Sequence, residues 1–275
     1  MTTAPVTVVT GASGGICSAL ARMLAAAGHR LVLTGHEPAA LDELAMEIVS
    51  GGGQAAALAG DVRDRQLPGR IVALACERFG RIDNLVNGAG ASRPVPFIEI
   101  DDNEWDDRVD INLSSVFRMS RAAARQMIAQ GEGGAIVHIS SIAHANGGAN
   151  VAYGSAKGGV ATLTYGMAQQ LGPAGIRVNA VAPGIIDTPM VRGGFAKQFK
   201  FGMPLQQCCE VASLANAFID QELVALWANQ MQCSVKQNRV CGTRAFERAF
   251  TEIDRGCSDD VTCVLFDGAG QKRIA

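Results

Sequence analysis

The fold is decided by residues 6–17, which read Val6-Thr7-Val8-Val9-Thr10-Gly11-Ala12-Ser13-Gly14-Gly15-Ile16-Cys17. The β-branched run at the start of this stretch is typical of a buried strand. A glycine-rich turn follows, and the stretch from Ala19 to Ala27 predicts a helix that ends at Gly28. The chain therefore begins with a strand, a tight turn and a helix, in that order.

This order of elements is the context in which a glycine-rich turn binds a dinucleotide. The turn lets the backbone approach a pyrophosphate closely, and the helix N-terminus offers free N–H groups at the positive end of its dipole. A glycine-rich turn alone is a weak signal, but its place between an N-terminal strand and a helix strengthens it. We therefore expect residues 11–16 to line a binding site.

Strands and helices alternate regularly along the chain as far as Val181. Further strands are predicted at 31–34, 55–59, 84–86, 134–139 and 176–181, and helices at 39–49, 71–79, 104–128 and 152–171. Less regular patterns predict a helix at 214–231 and a seventh strand at 261–266. This alternation is typical of an α/β protein with a Rossmann-type doubly wound parallel sheet, here of about seven strands. We expect residues 1–275 to form a single domain.

Several polar or glycine-rich segments follow directly on these predicted strands. The carboxyl ends of parallel strands meet at one edge of a sheet, where open α/β sheets bind their ligands. We therefore expect one crevice to collect residues 11–16, Asp61, residues 87–90, Ser141 and Pro183.

Tyr153 and Lys157 lie four residues apart in the predicted helix at 152–171, so they share one helix face. A free phenol has a pKa near 10, which is too high for ready proton exchange at neutral pH. An ammonium one turn away would favour the phenolate and lower that pKa. A hydroxyl from Ser140 or Ser141 could then hold a substrate oxygen. The alternative is that Tyr153 merely packs while Lys157 reaches solvent.

Composition and charge exclude several classes of protein. The chain has 275 residues, 48% hydrophobic and 18% charged, with a formal net charge of −2. No basic field indicates nucleic acid or an anionic membrane, and no apolar run approaches the roughly 18 residues of a membrane span. The N-terminus lacks a signal-peptide pattern, so we expect a cytoplasmic protein. The eight cysteines show no metal-binding spacing, so structural thiols and no metal site are predicted.

From about residue 5 to residue 190 the chain carries, in order, the motifs Thr10-Gly11-x-x-x-Gly15-Ile16, Asp61-Val62, Asn87-Gly88-Ala89-Gly90, Asn112, Ser140-Ser141, Tyr153-x-x-x-Lys157 and Asn179-Ala180-Val181-Ala182-Pro183-Gly184. As a set, these motifs resemble the classical short-chain dehydrogenase/reductase family. The resemblance implies NAD(P)-dependent interconversion of a secondary alcohol and a ketone by a carbonyl reductase or alcohol dehydrogenase, with 3-oxoacyl reduction among the candidates.

The resemblance also implies roles for individual residues. Tyr153 would be the acid–base, Lys157 would bind the nicotinamide ribose and lower the tyrosine pKa, Ser141 would hold the substrate oxygen, and Asn112 would support a proton-relay water. The implied cofactor-binding set is Gly11, Ser13, Gly14, Gly15, Ile16, Gly35, His36, Asp61, Val62, Asn87, Gly88, Ala89, Gly90, Tyr153, Lys157, Pro183, Gly184, Ile186 and Thr188. The resemblance also implies a homotetramer or homodimer. Small residues that would allow close helix packing between subunits are Ala156, Gly158, Gly159 and Ala161, although such residues serve packing within one subunit equally well.

The chain departs from the family pattern at three places before residue 190. In the family the second serine of the pair is usually the catalytic one, but its spacing to Tyr153 is one residue shorter here than usual. Counted by the usual spacing, the catalytic serine would be Ser140. We favour Ser141 and place the missing residue in the following loop. Cys17 replaces the third glycine, either as a buried small hydrophobe or as a thiol of lowered pKa near a helix N-terminus. At the end of the second strand, an acidic residue would favour NAD and an arginine would favour NADP. This chain has Gly35 and His36 there, so we favour NADP over NAD. In the alternative, Glu37 is a displaced ligand of the ribose.

The last quarter of the chain carries the weakest family pattern. A substrate loop would begin after Met190, with apolar residues at Phe195, Phe199 and Phe201, and residues 206–255 match no clear pattern. The substrate therefore stays open between a 3-oxoacyl thioester, a sugar, a steroid and a small ketone. Two alternative functions also stay open: a dinucleotide-binding regulator or scaffold without catalysis, and another chemistry such as dehydration or epimerisation on the same fold.

Overall fold

In this computed structural model the described residues are 4–184, 186, 188–194, 265–266 and 272–273. The chain divides into two compact units, Met1–Ala215 and Asn216–Ala275. All elements that form the site lie in the first unit. That the whole chain folds as one domain stays a prediction.

Six parallel strands form the central sheet of the first unit, as the alternating pattern predicts. They are β1 (Val6–Thr10), β2 (Arg30–Gly35), β3 (Gln54–Ala59), β4 (Asn84–Asn87), β5 (Gly134–Ile139) and β6 (Ile176–Val181). Their order across the sheet is β3-β2-β1-β4-β5-β6, with all pairings parallel. The strand order reverses between β1 and β4, so a ligand crevice is expected at the carboxyl ends of these two strands.

The helices agree with the predicted pattern but begin earlier than the sequence indicates. They are α1 (Gly15–Ala26), α2 (Pro38–Ser50), α3 (Leu67–Phe79), α4 (Asp102–Val109), α5 (Ser115–Gln130), α6 (Ala143–Asn146), α7 (Val151–Leu171) and α8 (Pro189–Gly194), with 3-10 turns at Phe97–Glu99 and Gly172–Ala174. Helix α1 begins four residues before Ala19, because the last glycine of the turn already has helical hydrogen bonding. The predicted fold class, a doubly wound α/β sheet, is confirmed.

The long helix predicted at 104–128 contains a π-helical turn. A π-helical turn, Asp110–Ser114, separates α4 from α5 and contains the buried Asn112. The predicted helical stretch is therefore present, and its central turn is π-helical rather than α-helical. Helix propensity is similar on both sides of the turn, whereas π-turns are rare and depend on contacts that a local pattern does not contain.

One hydrophobic cluster of the core lies on the face of the sheet covered by α3 and α5. Every residue of β1 is buried, as expected for a central strand of a parallel sheet covered on both faces. Side chains from strands and helices form one apolar cluster, which includes Val8, Val32, Ile71, Leu85, Ala123, Met127, Ile136 and Val178. This packing holds the strand ends rigidly in register, and the site residues lie at those ends.

In the second unit, Leu265–Phe266 (β7) pairs antiparallel with Lys272–Arg273 (β8). The predicted seventh strand at 261–266 is thus described only in its last two residues, and the predicted helix at 214–231 lies outside the described residues. The described part of the chain contains no helix with the length and hydropathy of a membrane span. The location of the protein in the cell stays a prediction.

Candidate active site

The glycine-rich turn lies directly against the loop that follows β4. Gly11 has a φ of +69°, and a Cβ at this position would come within 2.7 Å of the Ala89 nitrogen, so only glycine fits there. The Thr10 hydroxyl oxygen accepts the N–H groups of Gly88 at 3.0 Å and Ala89 at 3.2 Å. The two segments that the sequence predicted to share a crevice are therefore joined at its base.

The N-terminus of α1 differs from those of α4 and α7. Its N-cap, Gly14, has no side chain to bond the first N–H groups, and no acidic residue lies in the first turn. In contrast, Asp101 caps α4 and Asn150 caps α7 with side-chain hydrogen bonds. The first turn of α1 thus keeps free donors at the carboxyl end of β1, an arrangement that fits a phosphate.

Cys17 lies in the first turn of α1 and is buried. A Cβ built on Gly88 would overlap its Sγ atom, so the sulfur occupies space that Gly88 leaves open. Burial raises the thiol pKa to about 12, and the nearby Lys157 opposes this shift only in part. Cys17 is therefore a small buried hydrophobe rather than a reactive thiol. The cysteines from Cys208 onward lie outside the described residues.

At the other end of the crevice, charged side chains lie on the surface. We call His36, Glu37, Asp61 and Arg63 the outer rim. Arg63 forms ion pairs with Asp61 at 2.5 Å and with Asp107 at 2.5 Å. Its hydrogen bond with Asp61 lowers the pKa of that carboxyl, and His36 adds a smaller contribution in the same direction.

Gly35 and Ser13 meet beside the outer rim. Gly35 is buried, and a Cβ at this position would lie 2.5 Å from the Ser13 hydroxyl oxygen. A larger residue at position 35 would therefore have to displace Ser13. His36 itself is exposed and forms a 3.1 Å contact with Glu37. Further in, Val62 and Asn87 line a small cavity with Thr10, Leu67, Pro68, Ile71, Ser115 and Met119.

Tyr153, Lys157 and Ser141 meet at the carboxyl end of β5. The Lys157 ammonium lies 5.6 Å from the centre of the Tyr153 ring, within the range of a cation–π contact. It also donates a hydrogen bond to the Ile139 carbonyl oxygen at 2.7 Å. The Ser141 side chain forms a hydrogen bond with that of Tyr153. The alternative in which Lys157 reaches solvent is wrong, because only 3% of this residue is exposed.

The direction of the Tyr153 pKa differs from the sequence prediction. Burial raises the pKa of this phenol, and the hydrogen bond with Ser141 opposes the rise. Burial also lowers the pKa of Lys157 to about 8, with the neighbouring Cys17 acting in the opposite direction. Lys157 is not among the groups that shift the Tyr153 pKa, so the lowering expected from the four-residue spacing is absent, and in this structure Ser141 has that effect.

The two serines at the end of β5 point in different directions, as the period of a strand requires. Ser140 is buried, and its hydroxyl donates to the Lys157 carbonyl oxygen at 3.2 Å. Ser141 is the serine beside Tyr153, and its hydroxyl also accepts the Ala143 N–H at 3.2 Å. Residue counting alone fits Ser140, whereas the contact with Tyr153 agrees with our preference for Ser141.

Asn112 is held by backbone groups. Its amide nitrogen donates to the carbonyl oxygens of Ala91 and Arg108, each at 2.9 Å, and its oxygen accepts the Ala91 N–H at 3.2 Å. A Cβ on Gly90 would lie 2.8 Å from the Asn112 oxygen and 3.4 Å from the Lys157 nitrogen. Asn112 and Lys157 therefore face the same small space across Gly90.

The segment after β6 completes the crevice. The Pro183 carbonyl oxygen accepts the Ile142 N–H at 3.1 Å, which ties this segment to the loop after β5. Thr188 lies against the glycine-rich turn, because a Cβ on Gly15 would be 3.0 Å from its methyl group. Gly184 and Ile186 lie between these points and are partly exposed.

The sequence interpretation missed a buried polar group in β5. His138 has no exposed surface and contacts α5 through Ser120 at 3.2 Å and α7 through Thr164 at 2.9 Å. Ser120 in turn accepts a hydrogen bond from Asn87 at 2.8 Å. We call Asn87, Ser120, His138 and Thr164 the inner cluster. A histidine inside an otherwise apolar strand was the available signal.

The hydrogen bonds of the inner cluster define the tautomer of His138. The Thr164 hydroxyl donates its single proton to the Val160 carbonyl oxygen at 2.7 Å, so it must accept from Nδ1–H of the imidazole. Nε2 then accepts from Ser120. Burial lowers the pKa of His138 to about 3, and Lys157 acts in the same direction, so the ring stays neutral.

Residues 5–198 match the family model described as short chain dehydrogenase. The match covers more than half of the chain and spans the sheet, the glycine-rich turn and the Tyr153–Lys157 pair. The protein therefore belongs to the short-chain dehydrogenase/reductase family, and it is an oxidoreductase of that family, whose members use NAD(P). The resemblance predicted from the motifs is confirmed.

Individual relatives agree with this assignment. The short-chain reductase protein NovJ from Streptomyces niveus is 40% identical over 186 residues, which cover 68% of this chain and 71% of NovJ. The 3-oxoacyl-[acyl-carrier-protein] reductase from Synechocystis sp. is 36% identical over 205 residues, which cover 74% of this chain and 83% of that protein. The crystal structure of a short-chain type dehydrogenase/reductase from Mycobacterium marinum superposes with a TM-score of 0.67 at 32% identity, covering 69% of this chain and 76% of that one.

Proposed function

We propose that this enzyme interconverts a secondary alcohol and a ketone, with Tyr153 as the acid–base. The observation that carries the proposal is that the Ser141 side chain forms a hydrogen bond with that of Tyr153 while the Lys157 ammonium lies 5.6 Å from the centre of the Tyr153 ring. An acid–base, a second hydroxyl and a cation are the groups that proton transfer to a carbonyl oxygen requires. Relatives whose names include both a reductase and L-rhamnose 1-dehydrogenase (NAD(P)(+)) support a reaction that runs in both directions.

In the direction of reduction, Ser141 donates a hydrogen bond to the substrate carbonyl oxygen, and Tyr153 transfers its proton to that oxygen as the alcohol forms. In the direction of oxidation, the phenolate accepts the alcohol proton. The raised pKa of Tyr153 keeps the phenol protonated at neutral pH, which suits the donor role. Lys157 is held at this end of the crevice by the Ile139 carbonyl oxygen, where it would contact the nicotinamide ribose.

The proton that Tyr153 loses must be replaced from solvent. The space at Gly90 lies between the Asn112 oxygen and the Lys157 ammonium and is bounded by both. We assign Asn112 a supporting role in the relay that returns a proton from solvent to Tyr153. Its hydrogen bonds fix Ala91 and so keep the Gly90 backbone away from Lys157. A Gly90→Ala substitution places a methyl group in this space and should slow turnover at unchanged substrate affinity.

The residues present fit a nicotinamide dinucleotide. The uncapped first turn of α1 would hold the pyrophosphate, Asp61 and Val62 would flank the adenine, and Lys157 would contact the nicotinamide ribose. Residues 87–90, 183–186 and Thr188 would form the remaining walls. When bound, the nicotinamide supplies or accepts the hydride at the substrate carbon.

We further propose a preference for NADP over NAD. Position 35 carries no carboxylate to repel a 2′-phosphate, and the Ser13 hydroxyl lies beside it as a donor. His36, which is exposed at the end of β2, adds a further hydrogen-bonding partner. The test is the ratio of kcat/KM for NADPH to that for NADH in a double variant that combines Gly35→Asp with Ser13→Gly. The second substitution removes the hydroxyl that a side chain at position 35 would overlap. The ratio should move towards NADH; an unchanged ratio would contradict the preference.

The proposed acid–base role is tested by Tyr153→Phe. We expect turnover to fall by about 10²- to 10⁴-fold, the usual contribution of general acid–base catalysis, while NADPH binding is retained. The assay is a cofactor-coupled screen of ketones and alcohols with NADH and NADPH in parallel. Tyr165→Phe is the matched control, because it removes the other of the two tyrosines in the chain. Equal turnover in Tyr153→Phe and Tyr165→Phe would overturn the assignment.

Assembly as a homotetramer or homodimer is also proposed, on family resemblance alone. Small residues of α7 give it no support, because Ala156 and Ala161 are buried within the chain and Gly159 faces Leu113. The molecular mass in solution, measured by light scattering, is the test; a monomer at working concentration would contradict the proposal.

A further inference from the structure

Asn150 precedes α7, is 1% exposed and uses all of its amide hydrogens. Its side-chain oxygen accepts the Tyr153 N–H at 3.0 Å, so the helix cap acts on the residue that carries the proposed acid–base. Its side-chain nitrogen donates to the Arg93 carbonyl oxygen at 2.9 Å and to the Glu104 carboxylate at 3.0 Å. A reversed amide would present its oxygen to two acceptors and its NH2 to a donor.

Glu104 is therefore one of three partners, with the Arg93 carbonyl and the Tyr153 N–H, that fix which way the Asn150 amide faces. This carboxylate is 8% exposed and is shared between the Arg93 guanidinium at 2.9 Å and the Arg108 guanidinium at 3.2 Å. The backbone N–H of Glu104 is itself bonded to the Asp101 side chain at 2.7 Å, which fixes the start of α4. The acceptor that orients Asn150 is thus built into a different helix and is held from several sides.

The two functional residues of α7 are held in different ways. Tyr153 lies in the first helical turn, where backbone N–H groups depend on the cap. Lys157 lies one turn further on and is held by the Ile139 carbonyl oxygen of β5. Loss of the Asn150 cap should therefore displace Tyr153 relative to Ser141 while leaving Lys157 in place.

We propose that Glu104 and Asn150 are positioning residues that hold the Tyr153 hydroxyl opposite Ser141. They act through the first turn of α7 and make no contact with the reacting atoms. The inference depends on the proposed role of Tyr153, and it predicts a loss of turnover without a loss of cofactor affinity.

The test exchanges the amide and the carboxylate between the two positions. Asn150→Asp keeps an acceptor for the Tyr153 N–H but turns a second carboxylate towards Glu104, near the Arg93 and Arg108 guanidinium groups. Two carboxylates at this separation do not both stay ionised without cost, so the pair takes up a proton as the pH falls. Glu104→Gln combined with Asn150→Asp again places a hydrogen-bond donor, the new glutamine amide, opposite an acceptor, the new aspartate carboxylate. Asn103→Asp, at an exposed position one residue from Glu104, controls for the added charge.

For Asn150→Asp we expect kcat to fall by about 10- to 100-fold at mildly alkaline pH, the effect of a small displacement of a catalytic group. Activity should recover as the pH is lowered, and Kd for NADPH should equal that of the wild type throughout. The double variant should regain most of the kcat at alkaline pH, with some loss because the Arg93 carbonyl still lacks its donor. Asn103→Asp should match the wild type.

A second measurement needs no substrate. The chain has two tyrosines, so in a Tyr165→Phe background the ultraviolet absorbance of tyrosinate reports Tyr153 alone. The hydrogen bond from Ser141 lowers the Tyr153 pKa, and displacement of the phenol should remove that effect. Asn150→Asp should therefore raise the pKa of Tyr153, and the double variant should return it towards the wild-type value.

The positioning role is overturned if Asn150→Asp leaves both the pH profile of kcat and the Tyr153 titration unchanged, or if the double variant is no better than the single one. A fall in NADPH affinity parallel to kcat would indicate general damage to the site and would also reject it. Failure of the proposed function looks different: Tyr153→Phe would then turn over normally, whatever the titration of the Asn150 variants shows.

Discussion

The outer rim and the inner cluster lie near opposite ends of one crevice, yet they are built from opposite kinds of interaction. In the outer rim, Arg63 and Asp61 have side chains that are each 47% exposed and that form paired charges. In the inner cluster, His138 has no exposed surface and is neutral, and every hydrogen bond is between uncharged groups. One end of the crevice thus depends on charge in contact with water, and the other on buried polar groups with complete hydrogen bonding.

This difference determines how much each contact contributes. Exposed ion pairs gain little, because water and salt screen them and their side chains lose entropy. A buried polar group left without its partner carries the full cost of desolvation. The inner cluster joins α5 and α7 to the end of β4, so the Lys157 helix and the proposed cofactor loop depend on it. The outer rim can change without disturbing that arrangement.

The largest expected effect comes from His138→Ala. This change leaves Ser120 and Thr164 without their shared partner and opens a cavity under α7, so the free energy of unfolding should fall by about 3 kcal/mol or more. Denaturant unfolding monitored by circular dichroism is the measurement. A loss below about 1 kcal/mol, the usual range for an exposed pair, would remove the distinction between the two regions.

A smaller loss is expected for Gly88→Ala, at the base of the crevice. The introduced methyl group overlaps the Cys17 Sγ atom, and overpacking of this kind costs about 1–3 kcal/mol. Cys17→Ala removes the sulfur, so the double variant should regain most of the stability. Losses that simply add in the double-mutant cycle would show that Cys17 and Gly88 do not share this space.

The third prediction concerns pH. The unfolded chain protonates this histidine near pH 6.5, whereas folded His138, with a pKa of about 3, stays neutral. The unfolded state therefore binds more protons between these values, and the wild type loses stability as the pH falls through this window. At pH 5 the loss is about 2 kcal/mol, because one pKa unit corresponds to about 1.4 kcal/mol.

The control for this pH effect is His138→Gln, which lacks the titrating group. Unfolding free energies of the wild type and His138→Gln, measured at pH 7 and pH 5, should differ in their pH dependence by that amount. Parallel curves for the two proteins would mean that the imidazole is not held neutral.

The smallest effect is expected for Arg63→Ala in the outer rim. Removal of both of its ion pairs should cost less than about 1 kcal/mol and should cost still less at high salt, because exposed charges are screened. Unfolding in low and high salt measures this, with His138→Ala as the salt-insensitive reference. A large, salt-independent loss in Arg63→Ala would reverse the comparison.

Much of the site could be predicted because its residues follow strand ends. The positions of residues 11–16, 87–90 and Ser141 at one sheet edge follow from hydrophobic periodicity and turn residues, which are local properties. The four-residue spacing placed Tyr153 and Lys157 on one helix face, and the family resemblance placed them at the site. The π-turn at Asn112 and the role of His138 were missed, since both depend on partners from other elements. The choice between Ser140 and Ser141 needed the actual direction of each side chain.

The sequence by itself determined the family, the parallel sheet and the set of residues at its carboxyl edge, because strand and helix periods, glycine turns and motif order are written along the chain. Only the tertiary structure decided that Ser141 rather than Ser140 faces Tyr153, that burial raises the Tyr153 pKa, and that Gly88 makes room for Cys17. These outcomes depend on desolvation and on contacts between segments far apart in sequence, and neither is contained in any local pattern.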